Sequence, residues 1–181
     1  KELLFTVPLD KASSFKKINE IHLHPVIFKK WTVKFLKSIQ QSYSKSPFYN
    51  LVFPIIEEVF SGDHSSISDL TKASIKLTSK YLGIETEFVN SSQKYKNNHL
   101  KSQVRVIDIC KLEDADTYIN AIGGLELYNP LDFLNNGIEF RFLKPTMVPY
   151  NQFKTDEFIP GLSIIDFIMN IDPSEVKDHL K

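Results

Sequence analysis

The chain has 181 residues, 22 basic and 22 acidic side chains, and is 42% apolar and 12% aromatic. That length supports a core burying roughly 70% of the unfolded surface, and zero net charge argues against a dedicated nucleic-acid binder, whose domain carries a basic excess. A lone cysteine, Cys110, excludes an internal disulfide, and no apolar run approaches the roughly 18 residues of a membrane span, so a soluble, cytoplasmic domain is expected.

In chain order, residues 3–9 are rich in strand formers and end near Pro8, and residues 15–23 suggest a second strand. Spacing turns helical over 26–43, where Ile27, Trp31, Phe35 and Ile39 recur every four residues, widened by Phe28, Leu36 and Val33, opposite Lys29, Lys30, Lys34 and Lys37. Ser46-Pro47 reads as an N-cap with proline at the first helical position. The face that follows is Phe48, Leu51, Val52, Ile55, Ile56, Val59 and Phe60, with Pro54 expected to kink or end the helix. A third helix is predicted from Ser66 or Ser68 to a Gly83 cap, then a short strand over 85–89 and a polar loop over 90–93.

Residues 97–113 carry both β-branched and helical signals. Length favours a helix with the stripe Leu100, Val104, Ile107 and Cys110. A strand over 117–122 runs into Gly123-Gly124, a short helix over 128–134 ends at Asn136-Gly137, and residues 138–143 alternate as a strand. A long loop over 145–160 holds Tyr150, Gln152 and Phe153, an apolar helix spans 162–170, and Pro173 begins a last helix after an Asp172 cap. Interleaved helices and strands, without repeats or a linker, point to one α/β domain: a mixed sheet of about four to six short strands covered by several helices.

Chemistry-bearing residues are few. His22 and His24 form a His-x-His pair without a visible third metal ligand, so no metal site is expected, and no cofactor-binding motif occurs. Ser91-Ser92, between a strand and a helix, either face a ligand cleft or cap a turn. Gly123-Gly124 either let backbone N–H groups approach an anion or simply make a turn. Basic character rests on 20 lysines, so the two arginines, Arg105 and Arg141, stand out, because only arginine offers a planar fork. Arg105, between two valines, is either a buried carboxylate partner or an anion clamp. Asp166 lies inside an apolar helix and must be paired or line a cavity, and Arg105 is an attractive partner.

Several segments together resemble the WbqC-like family. They are Leu4-Phe5-Thr6-Val7-Pro8, the run from Tyr43 to Tyr49, Leu82-Gly83-Ile84 with Ser91-Ser92 downstream, and Arg105-Val106-Ile107-Asp108-Ile109-Cys110. Tyr118 with Gly123-Gly124, Tyr150-Asn151-Gln152-Phe153, and the closing run from Phe158 to Asp166 with Asn170 complete the series. The resemblance implies an additional amino-terminal segment ahead of Lys1, so the chain is expected to be the larger, carboxyl-terminal part of a longer protein. It also implies a place in O-antigen or related polysaccharide assembly, with transfer of an acyl or aminoacyl group such as glycine to an amino sugar. The partners implied are a small-molecule sugar nucleotide or an activated acyl donor, and the alternative is a non-catalytic module binding a sugar nucleotide or carrier protein. In such a reaction Ser91, Ser92, Gln152 and the amides near Gly123 and Gly124 would donate hydrogen bonds, Arg105 would hold a diphosphate, Tyr150 would line the substrate site, and Asp166 would orient or accept a proton, with Ser92 the other catalytic candidate.

Overall fold

A computed structural model describes residues 3–155 and 157–176. In chain order the described elements are β1 (Leu9–Asp10), β2 (His22–Leu23), α1 (Ile27–Tyr43), α2 (Tyr49–Ser61) and α3 (Ile67–Tyr81), followed by α4 (Ser102–Leu112), β3 (Thr117–Ala121), α5 (Pro130–Leu134), β4 (Glu139–Leu143) and α6 (Ile164–Asn170). Short 3-10 turns occupy Ile18–Glu20, Ser92–Tyr95 and Ile122–Leu127. The chain divides into two compact units, Lys1–Phe88 with Val148–Lys181, and Val89–Met147.

The first unit is mainly helical. On α1 the buried residues are Phe28, Thr32, Phe35 and Ile39. The predicted stripe thus faces inward over most of its width, with Trp31 and Leu36 packed against the core, and only its Ile27 and Val33 are exposed. Phe35 and Ile39 meet Val52 and Ile56 of α2, Leu82, and Ile168 and Met169 of α6 in the main core. Trp31 stacks on Phe35 with ring centroids 4.9 Å apart.

Local chemistry explains the helix ends. Ser66 caps α3 by accepting the Asp69 N–H at 3.1 Å and donating to its carboxylate at 2.7 Å. Gly83 adopts φ +65°, and the Gly83 and Ile84 N–H groups bond the Lys80 and Ser79 carbonyls, closing the helix in the left-handed turn that favours glycine. Ser66→Ala is expected to cost about 1 kcal/mol of stability in chemical denaturation. The Ser66 hydrogen bond, ahead of Lys72, holds the Asp69 carboxyl down at about 2. The contribution of this half-exposed carboxylate is present above its usual range and lost as pH falls towards 2, and the alanine variant should lose less in that window.

The second unit is a small parallel βαβ arrangement. β3 pairs with β4 from Thr117↔Glu139 to Ala121↔Leu143. The crossover is the 3-10 turn plus α5, which Asn129 caps by accepting the Leu131 N–H at 3.1 Å. Its core is Ile107, Cys110, Phe133 and Ile138. Cys110 is buried, and that burial pushes its thiol up, which fits a small core hydrophobe.

Several expectations need correction. The described strands form two separate two-stranded sheets, β1 with β2 and β3 with β4, instead of one mixed sheet of four to six strands. Of residues 3–9 only Leu9 is strand, and of residues 15–23 only His22 and Leu23; residues 85–89 join no ladder. Strand-forming composition makes no strand without a partner for the backbone groups. Ser46 is not a helix cap: its buried Oγ has no hydrogen-bond partner among the described residues, and α2 starts at Tyr49 after a turn. Pro54 does not end α2, which runs on to Ser61. The carbonyl it leaves without a donor is that of Asn50, an exposed residue within reach of water. The last predicted helix falls largely outside the described residues, although the Asp172 cap is present, its carboxylate accepting the Ser174 N–H at 2.8 Å.

Candidate functional site

The sequence-predicted site residues fall into two groups, one in each unit. In the first unit, Ser163 starts α6 by accepting the Ile165 N–H at 3.3 Å, so Asp166 lies in its first turn. An aspartate there complements the positive end of the helix dipole. Asp166 is nevertheless 6% exposed, and both of its carboxylate oxygens are engaged. The Tyr43 hydroxyl donates to Oδ2 at 2.9 Å and the Tyr150 hydroxyl to Oδ1 at 2.7 Å.

Each tyrosine is held by a different part of the chain. Tyr43 closes α1, while Tyr150 comes from the loop before α6. Asn170, one turn beyond Asp166, anchors that loop: its amide donates to the Asp166 carbonyl at 2.7 Å and its Oδ1 accepts the Phe153 N–H at 3.0 Å. Gln152 closes the same loop by bonding both backbone groups of Ile159, at 2.9 and 2.8 Å, and donates at 3.4 Å to the Tyr150 hydroxyl. Its amide is thus committed to holding the loop.

Burial, and then the Asp166 hydrogen bond, push the Tyr43 hydroxyl well above its usual range. Burial likewise pushes Tyr150 up to about 12, against a downward pull from Gln152 and with an upward one from Asp166. Both hydroxyls keep their protons and remain donors at neutral pH. The cluster borders a cleft of about 330 Å³, also lined by Ser38, Ser42, Lys154 and Thr155, with Phe5, Ile39 and Leu162 as apolar walls. That size lies at the lower end of the range for small-molecule sites.

The second group surrounds Arg105 on α4. Its Nε donates to Asn97 Oδ1 at 3.0 Å, and one terminal nitrogen donates to Ser92 Oγ at 3.1 Å and Asn98 Oδ1 at 3.0 Å. The predicted Arg105–Asp166 pair is therefore replaced by two separate networks, tyrosines on the aspartate and neutral acceptors on the arginine. Ser91 caps the 3-10 turn by accepting the Gln93 N–H at 3.2 Å. Ser92 contacts the guanidinium, which cannot accept a proton, and no histidine or carboxylate bonds its hydroxyl among the described residues.

Gly123 and Gly124 lie in the 3-10 turn after β3. Gly124 is buried beneath Asn120 and Tyr128, where a Cβ would meet the Asn120 amide and come within 3.4 Å of the Tyr128 ring. Close packing thus explains that glycine, while Gly123 faces open space. His22 and His24 use one ring nitrogen each on local backbone, the Ser65 carbonyl and the Ile27 N–H. Among the described residues no three His, Cys, Asp or Glu side chains cluster as a metal site, and no helix is long and apolar enough to cross a membrane.

Sequence reasoning did not select Tyr43 or Asn170 as site residues. Asn170 was legible as the residue one helical turn after Asp166. Tyr43 opens one of the segments that carry the resemblance, but at 123 positions from Asp166 nothing local tied it to that carboxylate. A family model described as the WbqC-like protein family matches residues 1–178, nearly the whole chain. No curated protein and no solved structure matches it.

Proposed function

The chain belongs to the WbqC-like protein family, and on that premise we propose that it transfers an acyl or aminoacyl group, such as glycyl, to the amine of an amino sugar or sugar nucleotide. The product would serve O-antigen or other surface-polysaccharide assembly, with the reaction in the cytoplasm. The observation that supports this reading is the Asp166 carboxylate, buried at the edge of a cleft and pinned by two tyrosine hydroxyls. A carboxylate has about four lone-pair sites. Tyr43 and Tyr150 take two, which leaves acceptor capacity for a substrate N–H.

In this reaction the amine nitrogen attacks the acyl carbonyl of an activated donor. The new C–N bond forms, the bond to the leaving group breaks, and the amine proton passes to Asp166 and from there to the leaving group. The two tyrosines fix the carboxylate in one orientation, the kind of positioning that makes a side-chain base effective. Lys154 and the Ser42 hydroxyl line the same cleft and supply donors for polar groups of donor or acceptor, while Ser38, whose hydroxyl donates to the Lys34 carbonyl at 2.9 Å, offers an acceptor oxygen.

The test is incubation of the protein with nucleotide-linked amino sugars and activated glycine, followed by mass spectrometry of the sugar. The expected result is an acylated amino sugar formed in proportion to enzyme. Saturable binding of the sugar nucleotide without any product identifies the non-catalytic binding module instead, and neither binding nor product across a broad panel removes both readings.

A further inference from the structure

Beside the Asp166 cleft lies a second cavity, of about 370 Å³, between α2, α3 and α6. Ile55, Val59 and Phe60 of α2, Ile75 of α3, and Ile164 and Ile168 of α6 wall it. Its polar side chains among the described residues are hydroxyls, those of Ser74, Thr78, Ser79 and Ser163, and no charged or amide side chain lines it. The Ser74 hydroxyl donates to the Thr71 carbonyl at 2.8 Å, and Ser163 Oγ accepts the Ile165 N–H at 3.3 Å. Ile75 is 55% exposed and Ile164 47%, so large aliphatic side chains stand open at this cavity instead of closing it. A concave, uncharged, aliphatic wall favours an alkyl chain over a glycyl group, whose single methylene carries an amine.

The two spaces adjoin at the start of α6. Phe5, Ser163 and Ile165 line both of them. Ile164 lines the aliphatic cavity alone and Asp166 the cleft alone, with Ile165 between them in sequence. Successive helical side chains are about 100° apart and about 1.5 Å along the axis, so the cleft and the cavity open on neighbouring faces of the same turn. Phe5, at their boundary, is packed against α1, its ring centroid 4.6 Å from that of Phe35. An acyl group with its carbonyl beside Asp166 therefore has to pass less than one turn of α6 to lay its chain against Ile75, Ile164 and Ile168.

We propose that this cavity binds the alkyl chain of the acyl donor, with the acyl carbonyl in the Asp166 cleft and a medium-length chain between α2, α3 and α6. The assignment deepens the transfer reading and rests on it for the carbonyl end. With a thioester donor the amine nitrogen forms the C–N bond, the C–S bond breaks, and the amine proton reaches the departing thiolate by way of Asp166.

The full chain would be titrated with octanamide and acetamide, neutral and unreactive probes that differ in chain length. The readouts are affinity and the methyl resonances of Ile75 and Ile164 in the cavity and of Leu162 in the cleft. Octanamide should bind at least about tenfold more tightly than acetamide and shift all three resonances with one midpoint. Ile75→Glu, at a half-exposed position, should weaken octanamide about tenfold by placing a charge against the chain. Shifts confined to one of the two spaces, equal affinity for the two amides, or undiminished binding in Ile75→Glu overturns the proposal. Should that variant fail to fold, the wild-type resonances decide. Turnover separates this assignment from the reading beneath it: an octanoyl thioester should acylate the amino sugar faster than an acetyl thioester. Octanamide spanning both spaces without any acylated product leaves the alkyl site standing while the transfer reading falls. Product formed equally fast from the acetyl thioester overturns the alkyl site while transfer stands.

Discussion

Asp166→Asn is expected to reduce formation of acylated product by about 10²–10⁴-fold, the usual contribution of a positioned general base. The substitution keeps the shape of the side chain but removes the charge and replaces one acceptor oxygen with a donor amide. One of the two tyrosine hydroxyls, Tyr43 at 2.9 Å or Tyr150 at 2.7 Å, then loses its acceptor. Leaving it unpaired in a part-buried site costs about 1–3 kcal/mol. The variant should therefore unfold at lower denaturant while still folding, and the kinetic loss should far exceed what the stability change explains. Full turnover by Asp166→Asn would remove the carboxylate from the mechanism.

The same substitution has a pH signature. Tyr150 is raised from 10.0 to about 12, chiefly by burial, and Asp166 adds to the rise. A group with a raised folded pKa contributes stability that is complete below its unfolded value and is lost as pH rises through the folded one. The window here is about 10 to 12. In Asp166→Asn the contribution from the carboxylate disappears. Tyrosinate absorbance should then develop at lower pH, and melting temperature should fall less steeply across that window.

Phe133→Ala is expected to cost about 3–5 kcal/mol, the range for deleting a fully buried aromatic ring. Phe133 is 0% exposed at the centre of the second unit's core. Its ring stacks on Phe140 at 4.7 Å and Tyr118 at 5.3 Å, and meets Tyr128 edge-on at 6.0 Å. A core built on four buried residues, Ile107, Cys110, Phe133 and Ile138, has little with which to refill that space. Hydrogen exchange should show the amides of β3 and β4 losing protection, while those around Val52 and Met169 in the other core keep theirs. Protection unchanged in β3 and β4 would show that the parallel ladder does not depend on this ring.

The helices of this protein were legible in the sequence because their signals are local. Ser66 before α3 and Gly83 after it sit within a turn of the groups they satisfy, and the helical period over 26–43 carried α1 nearly to its ends. Which flank of that stripe turns inward was not legible, since Phe28 and Val33 are both apolar and only the packed neighbours distinguish them. Strands fared unevenly. The alternation over 138–143 marked β4, whereas residues 3–9 and 85–89 had comparable composition and only Leu9 among them joins a ladder. Pairing is a property of two segments, and neither segment states it.

The site divides in the same way. A charge within the apolar run from Ser163 to Ile168 by itself implied that Asp166 is paired or lines a cavity, since desolvating an unpaired carboxylate is too costly. Which groups meet it was decided only by the tertiary structure. The partners are two tyrosine hydroxyls, one reached across 123 residues, and the arginine that local reasoning favoured is held instead by Asn97, Asn98 and Ser92. The sequence alone thus determined which residues must find a partner, because burial and charge are local properties. The partner itself depends on which distant segments the core brings within 3 Å, and that follows from how α1, the loop before α6, and α6 pack.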